Sequence, residues 1–149
     1  MKKIIAIFFL AGSFLGSNSW AQHCNQTIEG NDLLQFNLSE IIVSSSCENI
    51  TITLKHVGGL PSNVMGHNWV LTSTADYMPV ASGGQAAGPP EYLVVDDERI
   101  IAATPGMIGG GEEVSVTFNI NDLTPGGDYT FFCSFPGHYV LMNGKFIIE

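Results

Sequence analysis

Val114, Val116, Phe118 and Ile120 alternate with Ser115, Thr117, Asn119 and Asn121. A period of two sends one face of an extended chain into a core and the other into water, so this run predicts a half-buried β-strand. Ile50, Ile52 and Leu54 alternate with Thr51 and Thr53 in the same way, and Leu34, Phe36 and Leu38 with Gln35 and Asn37. Near the end Phe146 and Ile148 flank Ile147, and Tyr129-Thr130-Phe131-Phe132 is a further strand-like run. Breaks rich in Gly and Pro separate these runs at 57–61, 109–111 and 124–127. Several short strands joined by such turns indicate an all-β sandwich. One stretch departs from the pattern. Residues 73–90 are rich in Ala, Gly and Pro and contain Tyr77 and Met78, which predicts an insertion between strands with a short helix around 77–87. No internal repeat and no linker divides the chain, so a single domain is expected.

The N-terminus has its own logic. Met1-Lys2-Lys3 is followed by an apolar run from Ile4 to Leu15 and then by Ser19-Trp20-Ala21, with small residues where a signal peptidase reads. This pattern predicts a secretory signal over residues 1–21, cleaved after Ala21, ahead of one domain over 22–149. The apolar run is well short of the roughly 20 residues that cross a membrane, so no membrane anchor is expected. A lipid anchor on Cys24 is disfavoured because Ala21-Gln22-His23 is not the small-residue box such processing prefers.

Charge changes the picture for partners. The whole chain carries a net −9. Removal of Lys2 and Lys3 leaves three basic against 14 acidic side chains, or −11. Such a surface argues against nucleic acid and anionic membranes and leaves room for a basic protein partner. The cysteines change the picture for chemistry. Cys24, Cys47 and Cys133 are an odd set for an exported protein. One pair can form a disulfide, and the thiol left over needs burial or a bound partner.

Cys133, His138 and Met142 lie within ten residues, directly after a strand-like run, and Pro136-Gly137 supplies a bend between them. A thiolate and two imidazoles in a trigonal set, with a weak thioether on the axis, form a blue-copper site. The loop holds one histidine, so a second must come from His23, His56 or His67. His67 is favoured: it sits in Met65-Gly66-His67-Asn68-Trp69, before apolar Val70-Leu71, and Gly66 lets a carbonyl come close to a metal. Two other chemistries use the same residue types. A Cys–His dyad could be a catalytic thiol, but Cys133 stands near Phe132 and Phe135. Zinc could take one Cys and two His, but that leaves the spacing of Met142 without a purpose.

These residues resemble azurins, within the cupredoxin (type 1 blue-copper) family. The likeness rests on Cys-x4-His-x3-Met with Phe-Pro-Gly inside, on the Met65–Trp69 segment, and on Gly30-Asn31-Asp32, Asp96-Asp97 and Ser115–Phe118. It implies a Greek-key β-sandwich with one type 1 copper at one end and a helical flap over residues 73–90. Cys133, His67 and His138 would be the strong copper ligands, with Met142 and the Gly66 carbonyl weak and axial. The backbone amides of Asn68 and Phe135 would hydrogen-bond the cysteine sulfur, and Cys24 and Cys47 would form the disulfide. His138 would carry the electron to the surface within an apolar patch. The implied function is periplasmic one-electron transfer, not catalysis, with c-type cytochromes or a copper nitrite reductase as partners and a monomeric chain. A copper carrier or chaperone is the alternative. Four histidines are too few for a copper enzyme with a second metal. The sequence departs from the family at Tyr139 and Val140, at Gln85 (where azurins often place a patch methionine), and at Thr104-Pro105-Gly106. His56 matches a buried histidine whose protonation follows redox state in some azurins.

Overall fold

The computed structural model describes residues 24–149; the predicted signal segment 1–21 and His23 lie outside the described residues. Strands β1 (Asn25–Gly30), β3 (Asn49–His56) and β6 (Glu113–Asn119) form one sheet in the order β1-β3-β6. The second sheet runs β2-β8-β7-β4-β5, built from β2 (Glu40–Val43), β4 (Val70–Ser73), β5 (Ile100–Ala103), β7 (Tyr129–Phe132) and β8 (Asn143–Ile148). The chain passes repeatedly between sheets, as a Greek-key sandwich does. Two pairings, β1 with β3 and β2 with β8, are parallel, and the others are antiparallel.

β3 and β6 form where the alternation predicts them. Ile50, Ile52 and Leu54 of β3 point into the core. On the outer face Thr51 and Thr117 hydrogen-bond at 2.9 Å, and Thr53 and Ser115 at 2.8 Å, which holds the register across the pair. Trp69 fills the middle of the sandwich, with Phe118, Phe131 and Phe146 at ring distances of 6.2, 6.1 and 6.1 Å. β7 is buried along its whole length because it is covered on both faces. Tyr129 and Phe131 face the sandwich core, while Phe132 packs with Val70 beneath a helix.

That helix, α2 (Thr74–Ala87), is the expected insertion, but it has 14 residues and starts immediately after β4. Ser73 caps it by accepting from the Asp76 amide at 3.1 Å, with the Asp76 carboxylate in the positive first turn. Val80 and Ala81 bury against β4 and β7. Gly84 permits the close return of the chain, since a Cβ there would lie 1.9 Å from the Tyr92 carbonyl oxygen. A single further turn, α1 (Ser62–Met65), precedes Gly66 and was not expected.

The strand expected over Leu34, Phe36 and Leu38 does not form. Asn31 accepts from the amides of Leu33 and Gln35 at 2.9 and 3.3 Å, and Leu34 adopts a left-handed φ of 59°. This side-chain-capped turn replaces the ladder, and only an isolated bridge from Gly30 to Phe36 remains. Phe36 and Leu38 still pack on the core, so the alternation marked burial without strand pairing. Ile120 likewise leaves β6 for a 3₁₀ turn, Ile120–Asp122. Among the described residues no helix is long and apolar enough to cross a membrane.

Thr72 is fully buried in β4, and its hydroxyl has no hydrogen-bond partner. A buried hydroxyl without a partner costs stability that a methyl of the same shape does not. Thr72→Val should therefore raise stability by about 1 kcal/mol in denaturant unfolding. A lower midpoint would mean that the hydroxyl is satisfied after all.

Candidate metal centre

The site forms where β7 and β8 meet a segment arriving from β3. Phe132 and Asn143 are the last pair of the β7–β8 ladder. Just beyond it the Cys133 amide donates to the Met142 carbonyl at 3.0 Å, so the two ends of the intervening loop are tied together. Inside the loop Gly137 takes a left-handed φ of 79°, the His138 amide donates to the Phe135 carbonyl at 2.9 Å, and residues 138–140 wind into a 3₁₀ turn. The Met142 amide then donates back to the His138 carbonyl at 2.7 Å. The sequence places Cys, His and Met on one short loop, and backbone hydrogen bonds fix how that loop coils.

His67 arrives from the other side. It is held by a two-way backbone bridge to Ile108, with N···O distances of 3.0 and 2.9 Å. Gly66 before it cannot carry a side chain, because a Cβ would meet the Ser62 carbonyl oxygen at 2.3 Å and the Phe135 ring at 3.1 Å. The Cys133 Sγ then lies 3.9 Å from His67 Nδ1, 3.6 Å from His138 Nδ1 and 3.8 Å from the Gly66 carbonyl oxygen. His67, Cys133 and His138 are all buried, and their donor atoms lie within 4.8 Å of one another. The backbone N–H groups of Asn68 and Phe135 lie beside the Cys133 sulfur and favour its charged form. Met142 is fully buried at the same end. The structure therefore brings His67, Cys133 and His138 together as the sequence predicts, with Gly66, Asn68 and Phe135 around the sulfur.

The surroundings set which atoms are free to bind. His67 Nε2 donates to the Asn31 carbonyl at 3.0 Å, which leaves the Nδ1 lone pair facing the sulfur. Burial drives both imidazoles towards the neutral, ligand-competent form. The pKa of His67 falls to about 4 through desolvation, against the pull of the Asn31 carbonyl. That of His138 falls to about 4 through desolvation, assisted by the nearby His67. Burial also pushes the Cys133 thiol up to about 12, and the Asn68 and Phe135 amides offset only part of that. A buried thiol with a raised pKa lacks the lowered pKa and access of an activated nucleophile, which speaks against the catalytic-dyad reading. The donor set fits copper instead: two neutral imidazoles, one sulfur and a carbonyl, brought together by the fold in a buried cluster, where a soft metal would bind with loss of the thiol proton.

A pH dependence follows from the two histidines. Their folded pKa values of about 4 lie below the unfolded value of 6.5, so the unfolded chain takes up more protons between these limits. The metal-free protein should hold full stability above about pH 6.5 and lose it as pH falls through 4. The loss should be roughly 2 kcal/mol for each histidine after allowance for partial water access. Denaturant midpoints of metal-free protein measure this, and a flat profile from pH 7 to 4.5 would contradict the burial of these rings.

Other features of the site escape sequence reasoning. His56 stacks on His67 with ring centres 4.3 Å apart, its Nε2 lying 2.8 Å from the Met65 carbonyl and its Nδ1 accepting from the Gly58 amide. Asn68 links the two ligand segments through its side chain, which accepts from the Ser134 amide and donates to the Ser134 hydroxyl, both at 2.8 Å. Alternation and spacing carry no signal for such pairs; only the polar residue beside each ligand hints at them.

A sequence profile of the family described as copper binding proteins, plastocyanin/azurin family, matches residues 22–149. Among characterised proteins, the azurin of Pseudomonas aeruginosa is 45% identical over 150 residues, covering 100% of this chain and 99% of that protein. The azurin of Bordetella pertussis is 54% identical over 125 residues, and that of Achromobacter denitrificans 51% over 125, each match covering 83% of both chains. With two packed sheets, a Cys24–Cys47 disulfide and a buried His–Cys–His cluster already in place, this chain belongs to the plastocyanin/azurin family of copper-binding proteins.

Proposed function

We propose that the protein is a blue-copper electron carrier of the periplasm. The observation that carries this reading is the dry, preformed convergence of one thiol and two neutral imidazoles on a rigid sandwich. Cys133, His67 and His138 are the strong ligands; the Met142 thioether and the Gly66 carbonyl are weak and axial. Copper bound there supplies a one-electron Cu(II)/Cu(I) couple. The protein transforms no substrate. Its residues hold the donors in one arrangement for both oxidation states, and the Asn68 and Phe135 amides stabilise negative charge on the sulfur. His138, with exposed Val140 and Leu141 following it, is the ligand closest to a partner. Redox proteins such as c-type cytochromes or a copper nitrite reductase suit this role, and the chain works as a monomer. Residues 1–21 serve as the export signal and are removed, leaving 22–149 as the working domain.

A copper carrier or chaperone is the second reading. It calls for an open, exchangeable site, whereas Cys133, His67 and Met142 have no solvent exposure. The deciding experiment is to load purified protein with Cu(II). An intense thiolate-to-copper visible band, bleached by one equivalent of reductant and restored by oxidant, is the expected result. A colourless protein that still binds Cu(II) would overturn the electron-transfer reading.

A further inference from the structure

Helix α2 touches the ligand loop at two points, and each falls on the residue immediately after a proposed ligand. Gln85 Nε2 donates to the carbonyl of Ser134, which follows Cys133, at 2.8 Å. The Tyr77 hydroxyl donates to the carbonyl of Tyr139, which follows His138. The two donors stand eight residues apart on the helix, about 12 Å at helical rise. In a segment composed largely of Ala, Gly, Ser, Thr and Val, they are the long side chains with a hydrogen to donate.

Both are seated firmly. The Tyr77 ring packs on Phe132, the residue before Cys133, with centroids 5.1 Å apart. Val80 and Ala81, between the two donors, bury the helix against β4 and β7. Ser134 is held from further directions by Asn68 and by its own hydroxyl, which donates to the Glu91 carbonyl at 2.8 Å. The Tyr139 carbonyl has a second donor, Asn143 Nδ2, at 3.0 Å.

We infer that α2 is a clamp on the ligand loop, with Tyr77 and Gln85 as positioning residues that act through the Tyr139 and Ser134 carbonyls. The inference rests on the copper reading. Its physical content is that the loop backbone cannot follow a change in metal charge, so His138 and Cys133 stay where they are through each transfer. The helix thereby has a role in the reaction although it supplies no ligand.

The test uses Tyr77→Phe, which deletes one hydroxyl, and Gln85→Met, which keeps the length and deletes the donor. Amide hydrogen exchange is read in metal-free protein, independently of copper. Gln85→Met frees the carbonyl of the Ser134–Phe135 peptide and should speed exchange at the Phe135 amide about tenfold, the effect of losing one hydrogen bond, whereas the Ser134 amide is still held by Asn68. Tyr77→Phe should speed exchange at Leu141 and Met142, by less, because Asn143 still holds the Tyr139 carbonyl. Amides in β3 and β6 should be unchanged. In copper-loaded protein, the double variant should keep its colour and show electron self-exchange slower by several-fold. Unchanged loop exchange, or equal acceleration in β3 and β6, would overturn the clamp. Faster loop exchange with unaltered self-exchange would overturn its positioning role. A parent protein that takes up no copper colour would sink the copper reading instead, and the metal-free exchange data would still decide whether α2 holds the loop.

Discussion

Replacing Cys133 by serine should abolish the visible colour of the copper-loaded protein and leave a folded chain. The colour requires a thiolate bound to Cu(II), and a serine oxygen is a hard donor that supplies no such charge transfer. The structure makes the comparison clean. Cys133 is the only free cysteine among the described residues, and its Sγ faces His67, His138 and the Gly66 carbonyl. The ties that coil the loop are backbone bonds, Cys133 to Met142 and Met142 to His138, which serine retains. The expected cost in stability is about 1 kcal/mol, small beside a total loss of the band. Absorption at matched copper loading, with circular dichroism as the folding control, measures both. Persistent colour in the variant would mean that another residue supplies the sulfur.

The opposite result is expected for the other two cysteines. Cys24 and Cys47 form a disulfide that fastens the start of β1 to the turn between β2 and β3, with a sequence separation of 23 residues. Closing a loop of that length restricts the unfolded chain and is worth roughly 3 kcal/mol in the chain-entropy account. The double change Cys24→Ser, Cys47→Ser should lower unfolding stability by about that amount and leave the blue band intact, since neither cysteine belongs to the His67–Cys133–His138 cluster. The double variant avoids a stray thiol that either single change would leave. Loss of colour in folded protein would show that the bridge helps to shape the site.

The two predictions divide three identical side chains into two jobs, and the sequence alone went most of the way to that division. An odd cysteine count and the Cys133–His138–Met142 spacing are local features, so they are legible in one dimension. His67 is harder. Nothing between residues 67 and 133 signals that they meet; Gly66 before it, the apolar run after it and the unpaired thiol on the 133–142 loop favoured it over His56 and His23, and the family resemblance agreed. Tyr77, Gln85 and the Asn68–Ser134 link were not legible at all, because a hydrogen bond across 49 to 66 residues leaves no periodic trace.

The fold shows the same boundary. β3 and β6 are half-exposed, so their alternation declares them. β7 is covered on both faces and reads as a plain apolar run. Phe36 and Leu38 bury side chains with a single bridge to the end of β1 in place of a ladder, so their alternation misled. Helix α2 was under-read because Pro79, Gly83 and Gly84 weaken its helical signal; its length is set by packing on β4 and β7 and not by propensity.

The pairing of β2 with β8 has a consequence for the order of events in the life of the molecule. Residues 40–43 lie beside residues 145–148, so the sheet that supports the ligand loop closes only when the last strand is in place. The loop itself hangs between β7 and β8, and His67 meets it across the completed sandwich. A nascent chain, or one still threading through an export channel, has all of its would-be ligands but no pocket. The complete His67–Cys133–His138 cluster therefore exists only once the last strand has docked, so the arrangement of the metal site and the closure of the sandwich are one event.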